Sequence, residues 1–334
     1  MLKYIKSRKN IIISESAKDK NSCARKREKR RMSLEWKIIG IEDKPIIEKY
    51  YEYEQRSCCE FTFSNNYLWA PFYEMQYAII EDMLAFLIGG ENPSVGMPLA
   101  KDEHSARNLA KVILILEEYF QSIGKSFRMH LVTEDKYACL EEIFPGKYTV
   151  EYNRDQADYI YDMEKMISLA GKKLHGKRNH INKFKENNPD WRYESLSKEN
   201  VAACVEMAEE WKERNLCEER GEKHREFCVT LRSLEEYEQL GLKGGVLWAG
   251  GRVVAFTLGE ELNQEMFVVH IEKALADVQG AYPMINQQFL THEASQYSYV
   301  NREEDTGAEG LRKAKLSYYP VFLQEKGVVR RNAE

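Results

Sequence analysis

At 334 residues, with 43% hydrophobic and 31% charged residues, the chain has the composition of a soluble globular protein, long enough for one large domain or two of ordinary size. Its longest purely apolar run, Val112 to Leu116, is far short of a membrane span. The net charge of −5 hides a segregation: residues 1–31 carry twelve Lys/Arg against three Asp/Glu, and the remainder is acidic at −14.

That basic head has almost no apolar periodicity, which points to an unstructured segment or an over-long start, with patterning beginning at Met32. An arm for nucleic acid or acidic membrane is the alternative. Seven cysteines (23, 58, 59, 139, 204, 217 and 228) form no CxxC pair, and an odd number cannot all pair internally. Without an apolar signal segment, the expectation is reduced thiols and a cytoplasmic location.

From Met32 the elements come in an order that occurs twice. The first half starts with a helix in DKPIIEKYYEYEQ, then strands YEMQYAII and MLAFLIGG meeting at Glu81-Asp82, and a short strand in SVGMPL. A long helix over 102–123 follows, with Leu109, Val112, Ile113, Leu116 and Phe120 on one stripe, Asp102 as N-cap and Gly124 as C-cap. FRMHLVT, a short helix in EDKYACLEEIF, and strands in KYTVEYNR and DYIYDM close the half.

In the second half, SKENVAACVEMAEEWKERN places Val201, Cys204, Val205, Ala208 and Trp211 on one helical face. GGVLWAG and RVVAFTLGEEL form a hairpin through Gly250-Gly251. EMFVVHIEKA reads as a buried strand, followed by a helix in AYPMINQQFLTHEASQ, strand YSYVN, helix EGLRKAKLSYY and strand PVFLQEK. The expected class is α/β (α+β), with a mixed twisted sheet flanked by helices in each half. The domains expected are 32–165 and 166–334.

The stretches GKKLHGKRNHINKFKENNP, FVVHIEKA, QGAYPMINQQF and YVNREEDTGAEGLRKAKLSYYPVFLQEK resemble a bacterial family similar to the C-terminal catalytic domain of phosphatidylglycerol lysyltransferase, and more distantly to the Fem aminoacyltransferases. The resemblance covers nearly everything after Met32. It implies two tandem GNAT-like domains and transfer of an aminoacyl or acyl group, without fixing the substrate.

Three stretches are candidates for the chemistry. In NREEDTGAEGLRKAK (residues 301–315), Thr306 and Glu309 fit a capping box, leaving Arg302, Glu303 and Glu304 without a local structural role. Leu311, Ala314 and Tyr318 are expected inward on the next helix, with Arg312 and Lys315 on an adjacent face, where with Asn301 they would bind substrate. The alternative is a surface salt-bridge network. In residues 171–185, Lys172, Lys173, Lys177, Arg178, Lys183 and Lys185 make a basic helix face suited to phosphate, for which Lys177 and Arg178 are the leading residues. His175 and His180 are about 140° apart round a helix, so they are no metal pair, and no metal is expected. In FVVHIEKA, alternation puts Val268, His270 and Glu272 on one face, with His270 or Glu272 as a candidate general base; a hydrogen-bonded core histidine is the competing reading.

Coenzyme A is doubtful. The glycine-rich loop that usually opens the long helix of this fold is replaced by ALADVQGAYPMIN, with only Gly280 and the small Ala281 as weak cofactor contacts. The reading is therefore an acyltransferase moving an activated acyl group, with aminoacyl-tRNA as donor, onto an amine or hydroxyl such as a phospholipid headgroup or a peptide. Its base would be Glu272 or Glu304, and Arg302, Arg312 and Lys315 would bind charge. The alternatives are a coenzyme A-dependent N-acyltransferase and a non-catalytic RNA- or nucleotide-binding protein. Contact with lipid would be peripheral.

Overall fold

The computed structural model describes residues 34–215 and 221–332. The expected basic head, Cys23 and Cys217 lie outside them. The first half runs β1 (Lys37–Ile38), α1 (Lys44–Glu54), α2 (Phe63–Tyr73), β2 (Gln76–Ile80), β3 (Met83–Ile88), β4 (Ser94–Gly96), α3 (Glu103–Ala106), α4 (Leu109–Ser122), β5 (Arg128–Val132), α5 (Glu134–Ile143) and β6 (Tyr148–Tyr152). Next come β7 (Asp158–Asp162), α6 (Met163–Ser168), α7 (His175–Asn187), β8 (Arg192–Ser195), α8 (Val201–Arg214), α9 (Glu222–Glu235), α10 (Tyr237–Leu240), β9 (Lys243–Ala249), β10 (Arg252–Asn263) and β11 (Met266–Ala274). The chain ends with α11 (Ala281–Glu293), β12 (Tyr299–Asn301), α12 (Glu309–Leu316), β13 (Phe322–Gln324) and β14 (Gly327–Arg331).

Local chemistry sets several of these elements. The α4 stripe of Val112, Ile113, Leu116 and Phe120 is buried as expected. Asp102 caps α3, accepting from the Ser105 N–H at 2.7 Å, and the expected single helix breaks into α3 and α4. Gly250 and Gly251 have φ of 59° and 75°, the left-handed pair that a two-residue hairpin demands. α2 was not expected, because FSNNYLWAPFY carries Pro71 and shows no apolar period; Thr62 starts it, accepting from the Asn65 N–H at 3.4 Å.

Both sheets have seven strands, in the orders β1-β2-β3-β4-β5-β14-β6 and β13-β7-β12-β11-β10-β9-β8. Read from β1 and from β8, the order is the same, including one parallel pair in each, β4–β5 and β11–β12. The repetition has a twist that chain order conceals. Each half gives its last strand to the other sheet: β7 sits between β12 and β13, and β14 sits between β5 and β6. The strand in DYIYDM, reckoned with the first half, therefore belongs by hydrogen bonding to the second sheet, and the chain passes between sheets at residues 153–157 and again at 325–326.

One apolar cluster joins α1, α2, α8 and α9 to facing residues of both sheets, such as Leu84, Phe86, Val246 and Val268. A second packs α6, α7 and α11 on the other side of the second sheet, and a third packs α4 and α5 on the first. Burying three such layers is the dominant stabilising contribution.

Candidate functional site

The site is built where β11 and β12 part. These parallel strands pair only at Met266–Val268 with Tyr299–Asn301; β11 then continues beside β10 to Ala274. Beyond its end, where the chain turns into α11, lies a cleft of about 320 Å³ lined by Lys177, His180, Leu275, Gln279, Gly280 and Tyr282 among others.

A β-bulge decides which side chains face it. Leu258 pairs with Ile271 and the next residue, Gly259, pairs with Val269, so His270 is the extra residue on β11. Strict alternation, which put His270 and Glu272 on one face, is thereby broken. Val268 and Ile271 both join the core between the sheets, whereas Glu272 turns toward α11 and accepts from the Asn286 amide at 2.9 Å.

Arg302 crosses the parted strands. Its Nη2 donates to Glu272 Oε1 at 2.9 Å, and its guanidinium lies 5.2 Å from the Tyr318 ring centroid. The Lys177 ammonium stands over the same ring, 3.9 Å from the Tyr318 centroid. Burial, with the like charge of Arg302, pulls Lys177 down to about 8, against the opposing pull of Glu272. Arg302, Glu272 and Lys177 are thus brought together.

On the opposite face, His270 donates both ring nitrogens, Nδ1 to Glu303 Oε1 at 2.8 Å and Nε2 to Glu260 Oε1 at 3.0 Å. Burial disfavours its charge, but hydrogen bonds to Glu260 and Glu303 outweigh that and push it up to about 10. With both nitrogens committed and a proton on each at neutral pH, His270 is no general base.

Glu304 approaches the Lys326 ammonium at 3.3 Å, in a buried group with Glu60 and Asp158. Burial pushes Glu304 up, Lys326 pulls it down, and Asp158, Glu60 and Glu303 push it up again, to about 7. Asn301 is buried, its amide donating to the Ser57 carbonyl and to Asp158, both at 2.9 Å, so it shapes the site without facing a substrate.

The α12 cations differ from expectation. Arg312 grips Asp305 through Nε and Nη2, at 2.8 and 2.7 Å, and Asp155 at 2.6 Å. Lys315 is buried and donates to the carbonyls of Arg302 at 2.6 Å, Glu303 at 3.2 Å, and Glu304. These side chains fix the turn that carries Arg302 and Glu304. Of the residues expected inward, Leu311 and Ala314 are exposed, while Tyr318, just past the helix end, is buried as expected. The expected capping box is absent too. Thr306 is exposed with φ of 50°, α12 begins at Glu309, and the Gly307 N–H is taken by Asp305 at 2.9 Å. Arg178 turns back to cap α6, donating to the carbonyls of Leu169 and Gly171. Lys183 pairs with Glu186 at 3.3 Å, while Lys172 and Lys173 stay exposed.

Sequence reasoning missed Lys326, Asp158, Glu60 and Asn286. The available signal was slight: a single acid at the head of the apolar YIY run, and a lysine between two apolar strands.

The fold implies coenzyme A, and the residues at the α11 N-terminus fit it poorly. Ala281 N–H bonds to Val278 O, Met284 N–H to Gly280 O, and Pro283 has none, so of the first four helical residues only Tyr282 has its N–H outside these bonds. Gly280, with φ of 83°, does permit a close approach, but the α7 backbone uses it: a Cβ there would meet the His180 carbonyl oxygen at 2.2 Å.

Comparison with known proteins agrees with this architecture. A crystal structure of a conserved protein of unknown function from Bacteroides thetaiotaomicron is 37% identical, with a TM-score of 0.84, and covers 90% of this chain and 100% of that one. L-PGS from Bacillus licheniformis shares the fold at 16% identity and a TM-score of 0.61, covering 87% of this chain and 92% of its own. FemX shares it at 8% identity and a TM-score of 0.55, covering 88% and 97%. An uncharacterized protein of Mycoplasmoides gallisepticum is 27% identical over 195 residues, 55% of this chain and 60% of that relative, so the match spans less than two thirds of its length. The chain is built as two GNAT-like halves, each a mixed sheet flanked by helices. Among the described residues, no helix is long and apolar enough to cross a membrane. With the family "Phosphatidylglycerol lysyltransferase, C-terminal" matching residues 51–329, the chain belongs to that family.

Proposed function

We propose that the protein is an aminoacyltransferase taking its acyl group from aminoacyl-tRNA and passing it to a hydroxyl or amine, with a phospholipid headgroup as the acceptor that the family suggests. The observation that carries this reading is the opening between β11 and β12, spanned by Arg302 and Glu272 and bordered by Lys177 and the cleft. An aminoacyl ester is already activated, so the enzyme's task is to align it with the acceptor and stabilise charge on the carbonyl oxygen. Arg302 and the Lys177 ammonium supply positive charge there, and Glu272 fixes the guanidinium. The reaction needs no covalent enzyme intermediate. Contact with lipid would be peripheral.

The test mixes the purified protein with tRNA charged with labelled amino acids and with vesicles containing phosphatidylglycerol, then extracts the lipid. Labelled lipid supports the reading. Label that stays on tRNA whatever lipid or peptide is offered, with acetyl transfer from acetyl-CoA instead, refutes it and favours the coenzyme A alternative. Tight tRNA binding without any transfer favours a non-catalytic RNA-binding role.

A further inference from the structure

Arg302, Glu272 and Lys177 leave unexplained the buried lysine on the other side of the same turn. The chain passes between the sheets twice, and a charged residue stands at each passage. Asp158 heads β7 and Lys326 immediately precedes β14. Lys326 Nζ lies 2.8 Å from Asp158 Oδ1, 2.7 Å from Glu60 Oε1 and 3.3 Å from Glu304 Oε2, with Cys59 Sγ at 3.8 Å. Lys326 is 3% exposed and Asp158 fully buried. A lone ammonium there would lose its proton; the surrounding carboxylates hold it charged, well above the usual lysine range. Cys59, Glu60 and Asp158 are also spaced as cation ligands, but the lysine's own ammonium takes that place.

One carboxylate suffices to pair a structural lysine, and Asp158 is completed by the Cys59 N–H at 2.8 Å and the Asn301 amide at 2.9 Å. Glu60 and Glu304 are surplus, and both keep partial exposure, 24% and 28% of the side chain. Glu304 is the more loosely held. It follows Arg302 by two residues, on a turn that Lys315 and Asn301 fix, Asn301 Oδ1 accepting from the Glu303 N–H at 2.7 Å. The groups facing Glu304 are Lys326, Asp158, Glu60 and Cys59, with Glu303 and Lys315 alongside it and Tyr73 from α2.

We propose that Glu304 is the proton acceptor of the transfer and Lys326 its positioning residue, so that the ion pair joining the two strand passages also sets the base. This rests on the aminoacyltransferase reading. In the step, the acceptor's oxygen or nitrogen bonds to the ester carbonyl carbon and the bond from that carbon to the ribose oxygen breaks. The acceptor's proton passes to the Glu304 carboxylate and from it to the departing ribose oxygen, leaving Glu304 as it began. Lys326 keeps the carboxylate available near neutrality against burial and three neighbouring acids.

The test pairs two readouts. Infrared difference spectra of wild type against Glu304→Gln isolate the protonated-carboxyl band of Glu304, while the pH profile of transfer is followed in parallel. The band is expected to titrate with a midpoint of about 7, matching the acidic limb of the rate. In Lys326→Gln, which removes the ammonium, both midpoints move upward by roughly one pH unit or more, and in Glu60→Gln, which removes one neighbouring acid, both move downward. Lys326→Arg keeps them near the wild-type values. An unchanged acidic limb in Glu304→Gln, or midpoints unmoved in both Lys326→Gln and Glu60→Gln, overturns the proposal while transfer itself stands. Absence of transfer in the wild type overturns the aminoacyltransferase reading, and this role with it, even if the band still responds to Lys326.

Discussion

The two halves carry the same parallel strand pair and treat it in opposite ways. In the first sheet, β4 pairs with β5 at Val95–Met129 and Gly96–His130, and buried apolar residues follow β4. Met97 N–H donates to the His130 carbonyl at 3.3 Å, Leu84 and Leu99 exchange backbone bonds at 2.9 and 2.8 Å, and Met97, Leu99 and Ala100 are buried. Its histidine bonds Ser94 Oγ at 2.9 Å, and burial, with help from Arg128, pulls it down to about 4, so it is neutral at pH 7. In the second sheet the strands stay apart and the space collects Arg302, Glu272 and Lys177, while the histidine of its bulge is a cation near pH 7. The first copy of the pair is thus followed by buried apolar residues and the second by charged ones, which is why the proposed reaction is assigned to the second.

Four changes sharpen this contrast. The largest effect is expected from Arg302→Lys, which keeps the charge but loses the planar fork to Glu272; kcat/KM for aminoacyl transfer should fall by about 10²-fold. Stability against pH comes next. His270 is raised from 6.5 to about 10, so its pairing with Glu260 and Glu303 contributes fully below pH 6.5 and is lost as pH climbs toward 10. Urea unfolding should show wild type weakening over that window, and His270→Gln should be less stable at pH 6 with a flatter profile. Lys315→Met removes three carbonyl contacts and should cost about 1–3 kcal/mol of unfolding free energy. Smallest is Ser94→Ala in the first copy: about 1 kcal/mol in urea unfolding, with transfer per folded molecule unchanged. A large loss of transfer there would break the contrast between the copies.

What was legible in the sequence was local. The α4 stripe, the Asp102 cap and the Gly250-Gly251 turn depend on residues a few positions apart, and all three form. The repeated element order was readable because each copy carries its own periodicity. The exchange of β7 and β14 was not, because strand partners are chosen across more than a hundred residues of chain. Arg302 and Glu304 stood out because nothing local used them. Arg312 and Lys315 misled, since an amphipathic stripe does not say which face turns inward; here the buried surroundings are Asp305 and bare carbonyls, so the polar face goes in. His270 and Glu272 were put on different faces by a bulge at His270 itself, which alternation cannot foresee. Lys326 was invisible because its meaning depends on Asp158, far away in the chain.

The most direct test of an open second copy is a crystal structure of the protein with a 3′-aminoacylamino-adenosine, a stable mimic of the charged tRNA end. The expected result is the mimic in the cleft beyond β11, its aminoacyl carbonyl facing Arg302 and Lys177. Density for it over the β4–β5 pair, or none at saturating concentration, would contradict the assignment of the reaction to the second sheet.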